Sequence, residues 1–227
     1  MKKKIKTLFA PSDEPQSLGG KFRLKRYQYF EDQFYQTFKT SSPVKILDVG
    51  GTESFWKNST FLLSGNASIT LLNLEKVPVV MENVMSLVGD ATDLAQFDTK
   101  SFDLVFSNSV IEHLYNIENQ KKMASEIQRV GKYFFVQTPN KYFFLEPHYA
   151  LPFFQFMPSH VAYFILTKTK LSRMQKWDPL FAKSYLDEIR LLSLKEMKML
   201  FPVAQVYQEK IMGFTKSFIL HTLGNSK

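Results

Sequence analysis

Val44-Lys45-Ile46-Leu47-Asp48-Val49-Gly50-Gly51-Thr52-Glu53-Ser54 is the stretch from which the fold is read. It opens as a short apolar run rich in β-branched residues and closes in an acid, two glycines and two hydroxyls. That is the profile of a buried strand running into a tight turn. Glycine at the turn lets backbone approach a ligand closely, because no Cβ stands in the way. Asp48 puts a carboxylate at the carboxyl end of the strand, where open α/β sheets bind their ligands.

Outward from this stretch the pattern alternates. Before it, Phe22, Leu24, Tyr27, Phe30, Phe34 and Phe38 recur at three- and four-residue spacings, predicting an amphipathic helix over 21–39 that Ser41-Ser42-Pro43 stops. After it, residues 54–64 are expected to form a first crossover helix, and Ile69–Asn73 a second strand. The link from Leu74 to Glu82 is short and holds Pro78, so a second crossover helix is reduced or lost. Val84–Val88 and Phe102–Phe106 read as strands, 117–130 as a helix closed by Gly131, and Tyr133–Gln137 as the fifth strand. Alternating strands and helices imply a parallel, doubly wound sheet. From Asn140 to about Leu192, prolines 147, 152, 158 and 179 punctuate an aromatic-rich insertion too long for a plain loop. Ser193-Leu194-Lys195-Glu196 is a capping box opening a last helix, and residues 203–211 and 216–223, joined around Gly213, read as a closing hairpin. The expected fold is α/β: a seven-stranded sheet, mostly parallel, with a C-terminal antiparallel hairpin and a helical insertion.

The 227 residues suit one α/β domain, and 44% hydrophobic residues suffice for a full core. The expected division is a tail and helix over 1–40, a core over 44–140, a substrate-side lid over 141–192, and the last helix and hairpin over 193–223. With no cysteine there is no disulfide and no thiolate chemistry. The lysines of Met1-Lys2-Lys3-Lys4-Ile5-Lys6 lead into no signal-type apolar stretch, and no run of about 18 apolar residues exists. A cytoplasmic location is expected. The net charge of +8 is compatible with nucleic acid, an anionic membrane surface, an acidic substrate, or solubility alone.

Asp48-Val49-Gly50-Gly51-Thr52 resembles the first motif of class I S-adenosylmethionine (SAM)-dependent methyltransferases: apolar strand, acid, any residue, Gly, any residue, Gly. A dinucleotide dehydrogenase shows G-x-G-x-x-G with no acid just before its first glycine. Thr52 stands where the second family glycine falls and Gly51 comes one place early, so a turn of different shape is expected. Phe102-Asp103-Leu104-Val105-Phe106-Ser107-Asn108-Ser109-Val110-Ile111-Glu112-His113-Leu114 is similar to the F-D-x-V … E-H-L run of small-molecule, type 11-like members, and Gln137-Thr138-Pro139-Asn140 also fits. The resemblance covers residues 44–140, and the last two strands by pattern.

The resemblance implies SAM as cofactor. It implies that Asp48 meets the amino acid end of the cofactor, and that the turn of Gly50, Gly51 and Thr52 passes under methionine and ribose. The second strand ends in Asn73-Leu74, where a ribose-gripping acid is usual. Asn73 accepts at one oxygen only, and Glu75 is the reserve candidate. Asp90 is implied at the adenine amino group, Ala91 at the ring through its N–H, and Asn108 and Ser109 at the sulfonium end.

For catalysis the candidates are His148, in Leu145-Glu146-Pro147-His148-Tyr149 of the insertion, and His113. Either could take a proton from a hydroxyl nucleophile. No metal cluster is evident, because Glu112 and His113 alone are too few ligands. The reading is a methyltransferase acting on a small-molecule, glycan or lipid-precursor acceptor. A nucleic-acid methyltransferase is one rival, disfavoured by scattered lysines and by the lack of an Asn-Pro-Pro-aromatic signature after the fourth strand. A non-catalytic binding protein of the same fold is another. The aromatic insertion also leaves room for contact with a membrane surface.

Overall fold

The computed structural model describes residues 18–39 and 42–224. The chain divides into two units, Met1–Lys39 with Leu223–Lys227, and Thr40–Thr222. Most of the tail expected over 1–20 lies outside the described residues.

The described residues of the first unit hold the helix α1 (Leu18–Thr37), three residues earlier at its start than the spacing predicts. Tyr27 donates to Glu31 one turn on, and Phe34 packs edge-on to Tyr35 and tilted against Phe30 and Phe38. The backbone N–H of Gly224 donates to the Thr37 hydroxyl at 2.8 Å, tying the last described residue to the helix end.

The second unit runs β1 (Val44–Val49), α2 (Glu53–Trp56), α3 (Thr60–Leu63), β2 (Ala67–Asn73), β3 (Val84–Val88), β4 (Phe102–Asn108), α4 (Ile117–Val130) and β5 (Gly131–Pro139). It continues with β6 (Leu145–Glu146), β7 (Leu151–Pro152), α5 (Ser159–Lys168), α6 (Pro179–Glu188), α7 (Leu194–Leu200), β8 (Gln205–Ile211) and β9 (Phe214–His221). Seven strands form one sheet in the order β3-β2-β1-β4-β5-β9-β8; β6 and β7 pair separately. β1 to β5 are parallel, and β9 runs antiparallel to both β5 and β8. The expected fold class is therefore the observed one. β1 and β4 are buried almost throughout, as strands covered on both faces must be. The order reverses between β1 and β4, so their carboxyl ends flank the crevice of a doubly wound sheet.

Helical cover differs from expectation in one place. The helix expected over 54–64 is two single turns, α2 and α3, separated at Lys57-Asn58-Ser59. Trp56 sets the break: its ring packs against Phe55, Phe61 and Phe106, and Ser59 donates its N–H back to the Trp56 carbonyl at 2.8 Å. Between β3 and β4 the described backbone is turned by its own carboxylates instead of coiling into a helix. Asp90 accepts from Thr92 and Asp93 from Ala95, local bonds that compete with helical ones. α4 holds this connection from one side: Glu126 accepts the Leu94 N–H, and Arg129 donates to the carbonyls of Leu94 and Phe97.

The capping box is present, with Ser193 and Glu196 exchanging bonds at the start of α7. Met212 (φ 49°) and Gly213 (φ 86°) make the two-residue turn between β8 and β9, the left-handed pair that hairpin twist favours. The main core lies around Leu47, Val105, Met123, Ile127, Val136 and Phe201. The insertion carries a core of its own, around Tyr149, Phe154, Leu166 and Trp177. It leaves and rejoins the sheet at one point: Lys141 donates its N–H to the Leu192 carbonyl at 3.0 Å. Its returning limb runs along the turn after β4, where Tyr115 donates to the Glu188 carbonyl and Arg190 to the Glu112 carbonyl.

Candidate active site

The turn after β1 is shaped by sterics. Gly50 has φ +77°, and a Cβ there would sit 2.4 Å from Val110 Cγ2. A Cβ on Gly51 would lie 1.7 Å from Asp48 Oδ2. Gly51 is thus required because the Asp48 carboxylate is tucked beneath it. Asp48 is 1% exposed, and the Trp56 indole N–H donates to its Oδ2 at 2.7 Å. The acid expected at the amino acid end of a cofactor is turned inward, bracing the turn from below. The early second glycine is explained by the same contact.

The neighbouring strand ends complete the row. Asn73 donates through Nδ2 to the Gly51 carbonyl at 3.0 Å, so it fastens the glycine turn and keeps Oδ1 as acceptor. Leu74 is 75% exposed beside it, and Glu75 is exposed. Thr52 and Ser54 share a hydroxyl bond of 2.9 Å at the rim. Asp90 is exposed; its Oδ1 is held by the Thr92 N–H and hydroxyl at 2.7 and 2.8 Å, which leaves Oδ2 available, and Ala91 is half-buried next to it. Ser109, in the left-handed region at φ 58°, donates its hydroxyl to Gln137 at 2.7 Å, and Asn108 is half-buried at the end of β4. Sequence reasoning missed Glu53, whose Oε1 accepts the N–H groups of Val80 and Met81 at 2.8 and 2.6 Å and folds the β2–β3 link toward α2. An acid in the first turn after the glycines was the available signal.

A SAM molecule fits this donor and acceptor set in part. Asn73 Oδ1 and Glu75 offer acceptors for ribose, Asp90 Oδ2 an acceptor for an amino group, and Leu74 an apolar flank. Asp48 offers little, being covered by Gly51 and engaged by Trp56.

The other half of the site lies on the turn after β4, a single 3₁₀ turn, Ile111–His113. The fold brings His148 from the insertion onto it: the His113 and His148 rings meet edge-to-face at 5.1 Å. Nδ1 of His113 lies 2.6 Å from Glu188 Oε1, and Nδ1 of His148 lies 2.6 Å from Glu146 Oε1. A carboxylate only accepts, so each Nδ1 carries the proton and each Nε2 is turned to other uses. Burial lowers the His148 pKa, but the hydrogen bond and charge of Glu146, with the charge of Glu112, outweigh it and hold the imidazole above its ordinary value. Burial, helped by Glu188 and Glu146, pushes the nearby Tyr185 hydroxyl up to about 12. Glu112 is fully buried; its Oε2 accepts from the Thr138 hydroxyl at 2.9 Å. Glu112 and His113 therefore do not stand alone: potential ligand atoms of Glu112, His113 and His148 all lie within 4.8 Å of one another. Glu146 was legible two residues from His148. Glu188, 75 residues from His113, was not.

This sheet order, with a glycine turn at β1 and polar strand ends in series, defines the class I SAM-dependent methyltransferase fold. Residues 61–133, about a third of the chain, match the type 11 family model described as "Methyltransferase domain", in agreement with the resemblance read from sequence. Among curated proteins none matches the chain. Of solved structures, phosphoethanolamine N-methyltransferase 2 of Haemonchus contortus, in complex with SAM, is similar at TM-score 0.51 and 16% identity, over 84% of this chain and 39% of that one. A SAM-dependent methyltransferase of Methanosarcina mazei is similar at TM-score 0.48 and 15% identity, over 80% and 92%. A further one, of Aquifex aeolicus, is similar at 0.46 and 12%, over 88% and 96%. Among the described residues no helix is long and apolar enough to cross a membrane.

Proposed function

We propose that this chain is a SAM-dependent methyltransferase whose acceptor is a small molecule, glycan or lipid precursor with a proton to lose. When bound, SAM would supply an electrophilic methyl group on a sulfonium. The chain's own residues supply placement. Gly50 and Gly51 keep the turn low, Asn73 and Glu75 accept from ribose hydroxyls, and Asp90 accepts at the far end beside Leu74 and Ala91. Asn108 and Ser109 line the end of β4 nearest the histidines. The observation that carries the reading is that these strand ends and the His113–His148 pair open from the same carboxyl edge of the sheet.

On the acceptor side, the two histidines, each steered by a carboxylate, are the groups that deal with the acceptor's proton. Exposed Tyr142, Phe153, Phe156, Phe164 and Phe181 on the insertion favour an acceptor with an apolar part, or one presented at a membrane surface. A cytoplasmic setting accompanies this proposal.

Titration calorimetry with SAM and its demethylated product tests the cofactor. The native chain should bind both. Asp90→Ala should weaken SAM by about 0.5–1.5 kcal/mol, the net worth of one hydrogen bond at an exposed carboxylate, or roughly 2- to 13-fold. Undiminished affinity removes Asp90 from the site, and no binding by the native chain removes the reading. Acceptors are then screened by mass of the methylated product.

A further inference from the structure

We infer that Glu112, His113 and His148 form a binding site for one divalent first-row transition-metal ion of the zinc class, with an open coordination position toward the acceptor side. Three features carry this. First, Glu112 is fully buried and its Oε1 has no hydrogen-bond partner, while Oε2 is fixed by Thr138. A buried carboxylate oxygen without a donor is costly unless something positive comes to it. Second, the potential ligand atoms of the three residues lie within 4.8 Å of one another. Donors around one zinc stand about 3.3 Å apart, from bonds of about 2.0–2.1 Å at tetrahedral angles. A bound ion would have to draw these atoms together by up to about 1.5 Å. Third, each imidazole is held through Nδ1 at 2.6 Å by a carboxylate, Glu188 or Glu146, so in the neutral ring Nε2 carries the lone pair left to coordinate. Carboxylate–histidine–metal relays have this arrangement.

The orienting shell is itself anchored. Glu146 is 1% exposed and its second oxygen accepts the Tyr149 N–H at 2.8 Å. Three carboxylates thus stand around two imidazoles, and a dication offsets two of the three negative charges. One carboxylate oxygen with two imidazole nitrogens suits Zn²⁺ and its neighbours better than Mg²⁺ or Ca²⁺, which take oxygen-only sets. Three protein ligands are also the pattern of a site that keeps a position for water or substrate. With both Nε2 atoms on the ion the histidines act as ligands and no longer as bases, in place of the direct role proposed above; an acceptor hydroxyl in the open position would be acidified by the ion and give its proton to solvent. Only this last statement rests on the methyltransferase reading.

The test uses the full-length chain, freed of metal with a chelator, and no SAM, so its outcome is independent of cofactor binding. Calorimetry with zinc chloride and metal content after dialysis should give one zinc per chain. Glu112→Gln keeps the Thr138 bond but turns an amide N–H₂ to the ion. It should weaken zinc binding by more than about 100-fold, beyond the loss of a mere orienting partner. His148→Ala should do the same, and His160→Ala, at an exposed histidine of α5, should change nothing. Circular dichroism verifies that the variants are folded. In the native chain, cobalt(II) should shift the ring-proton resonances of His113 and His148, which locates the ion even if a variant fails to fold. Sub-stoichiometric zinc, zinc retained by folded Glu112→Gln, or unshifted rings would overturn the site.

Discussion

Trp56→Phe isolates the contact that shapes the glycine turn. Phenylalanine keeps an aromatic ring against Phe61 and Phe106, whose centroids lie 6.1 and 4.9 Å from that of Trp56. It removes the indole N–H that reaches Asp48 Oδ2 at 2.7 Å. A hydrogen bond to a charged group contributes about 1.5–3 kcal/mol, and with Asp48 1% exposed, water cannot take over without opening the turn. The expected loss is therefore about 2–3 kcal/mol, adding the smaller ring's lost contacts to the low end of that range. At about 2–4 °C per kcal/mol for a unit of this size, the melting temperature should fall by roughly 4–12 °C. Urea unfolding followed by circular dichroism measures the free-energy loss, and thermal unfolding the change in melting temperature. Trp56→Phe is then repeated in an Asp48→Asn background, where the acceptor is neutral. If the bond to charge is the source, the second substitution costs at least about 1 kcal/mol less there, a coupling that double-mutant cycles resolve. A loss below about 0.5 kcal/mol, or equal losses in both backgrounds, would refute the idea that the indole holds the carboxylate.

Two further outcomes follow from neighbouring geometry. Gly51→Ala places a methyl 1.7 Å from Asp48 Oδ2, so turn or carboxylate must move; stability should fall by about 1–3 kcal/mol, as for other overpacked sites, and SAM affinity with it, read by the same urea and calorimetric assays. For Glu196, burial pushes the pKa up, but the Ser193 N–H and hydroxyl and the Arg190 guanidinium outweigh it and hold the carboxyl at about 2, against 4.5 unfolded. A depressed folded pKa stabilises above the unfolded value and loses that stabilisation as pH falls. Native chain and Glu196→Gln should therefore differ most in urea midpoint above about pH 4.5 and converge toward pH 2; solvent screening holds the difference to about 1 kcal/mol.

Much of the fold was legible because its signals are local. Val44–Val49, Phe102–Phe106 and the 117–130 helix announce themselves by periodicity, and Ser193 with Glu196 by a four-residue motif. The interruption at Lys57–Ser59 was not legible, because it depends on Trp56 packing against Phe106, fifty residues away in sequence and adjacent only in the sheet. The site divides in the same way. Asp48, Asn73 and Asp90 could be placed at strand ends from spacing, yet the inward turn of Asp48 and the bond from Asn73 to Gly51 are tertiary facts. His113 and His148 could each be singled out. That they touch, over Glu112 and between two orienting carboxylates, required the insertion to return past the end of β4.

The staple at the root of the insertion has a consequence for how such a chain can diversify. Asn140 and Leu192 pair as a parallel bridge, with the Lys141 N–H on the Leu192 carbonyl, so the excursion begins and ends at neighbouring points. Topologically it is a cassette. Because its two ends meet, its length places no spacing demand on the strands it interrupts, and closing a longer or shorter excursion changes loop entropy only logarithmically. Residues between the ends can drift, lengthen or be exchanged while the register of β5 against β9 stays fixed, which separates the rate at which the excursion changes from the rate at which the sheet beneath it can.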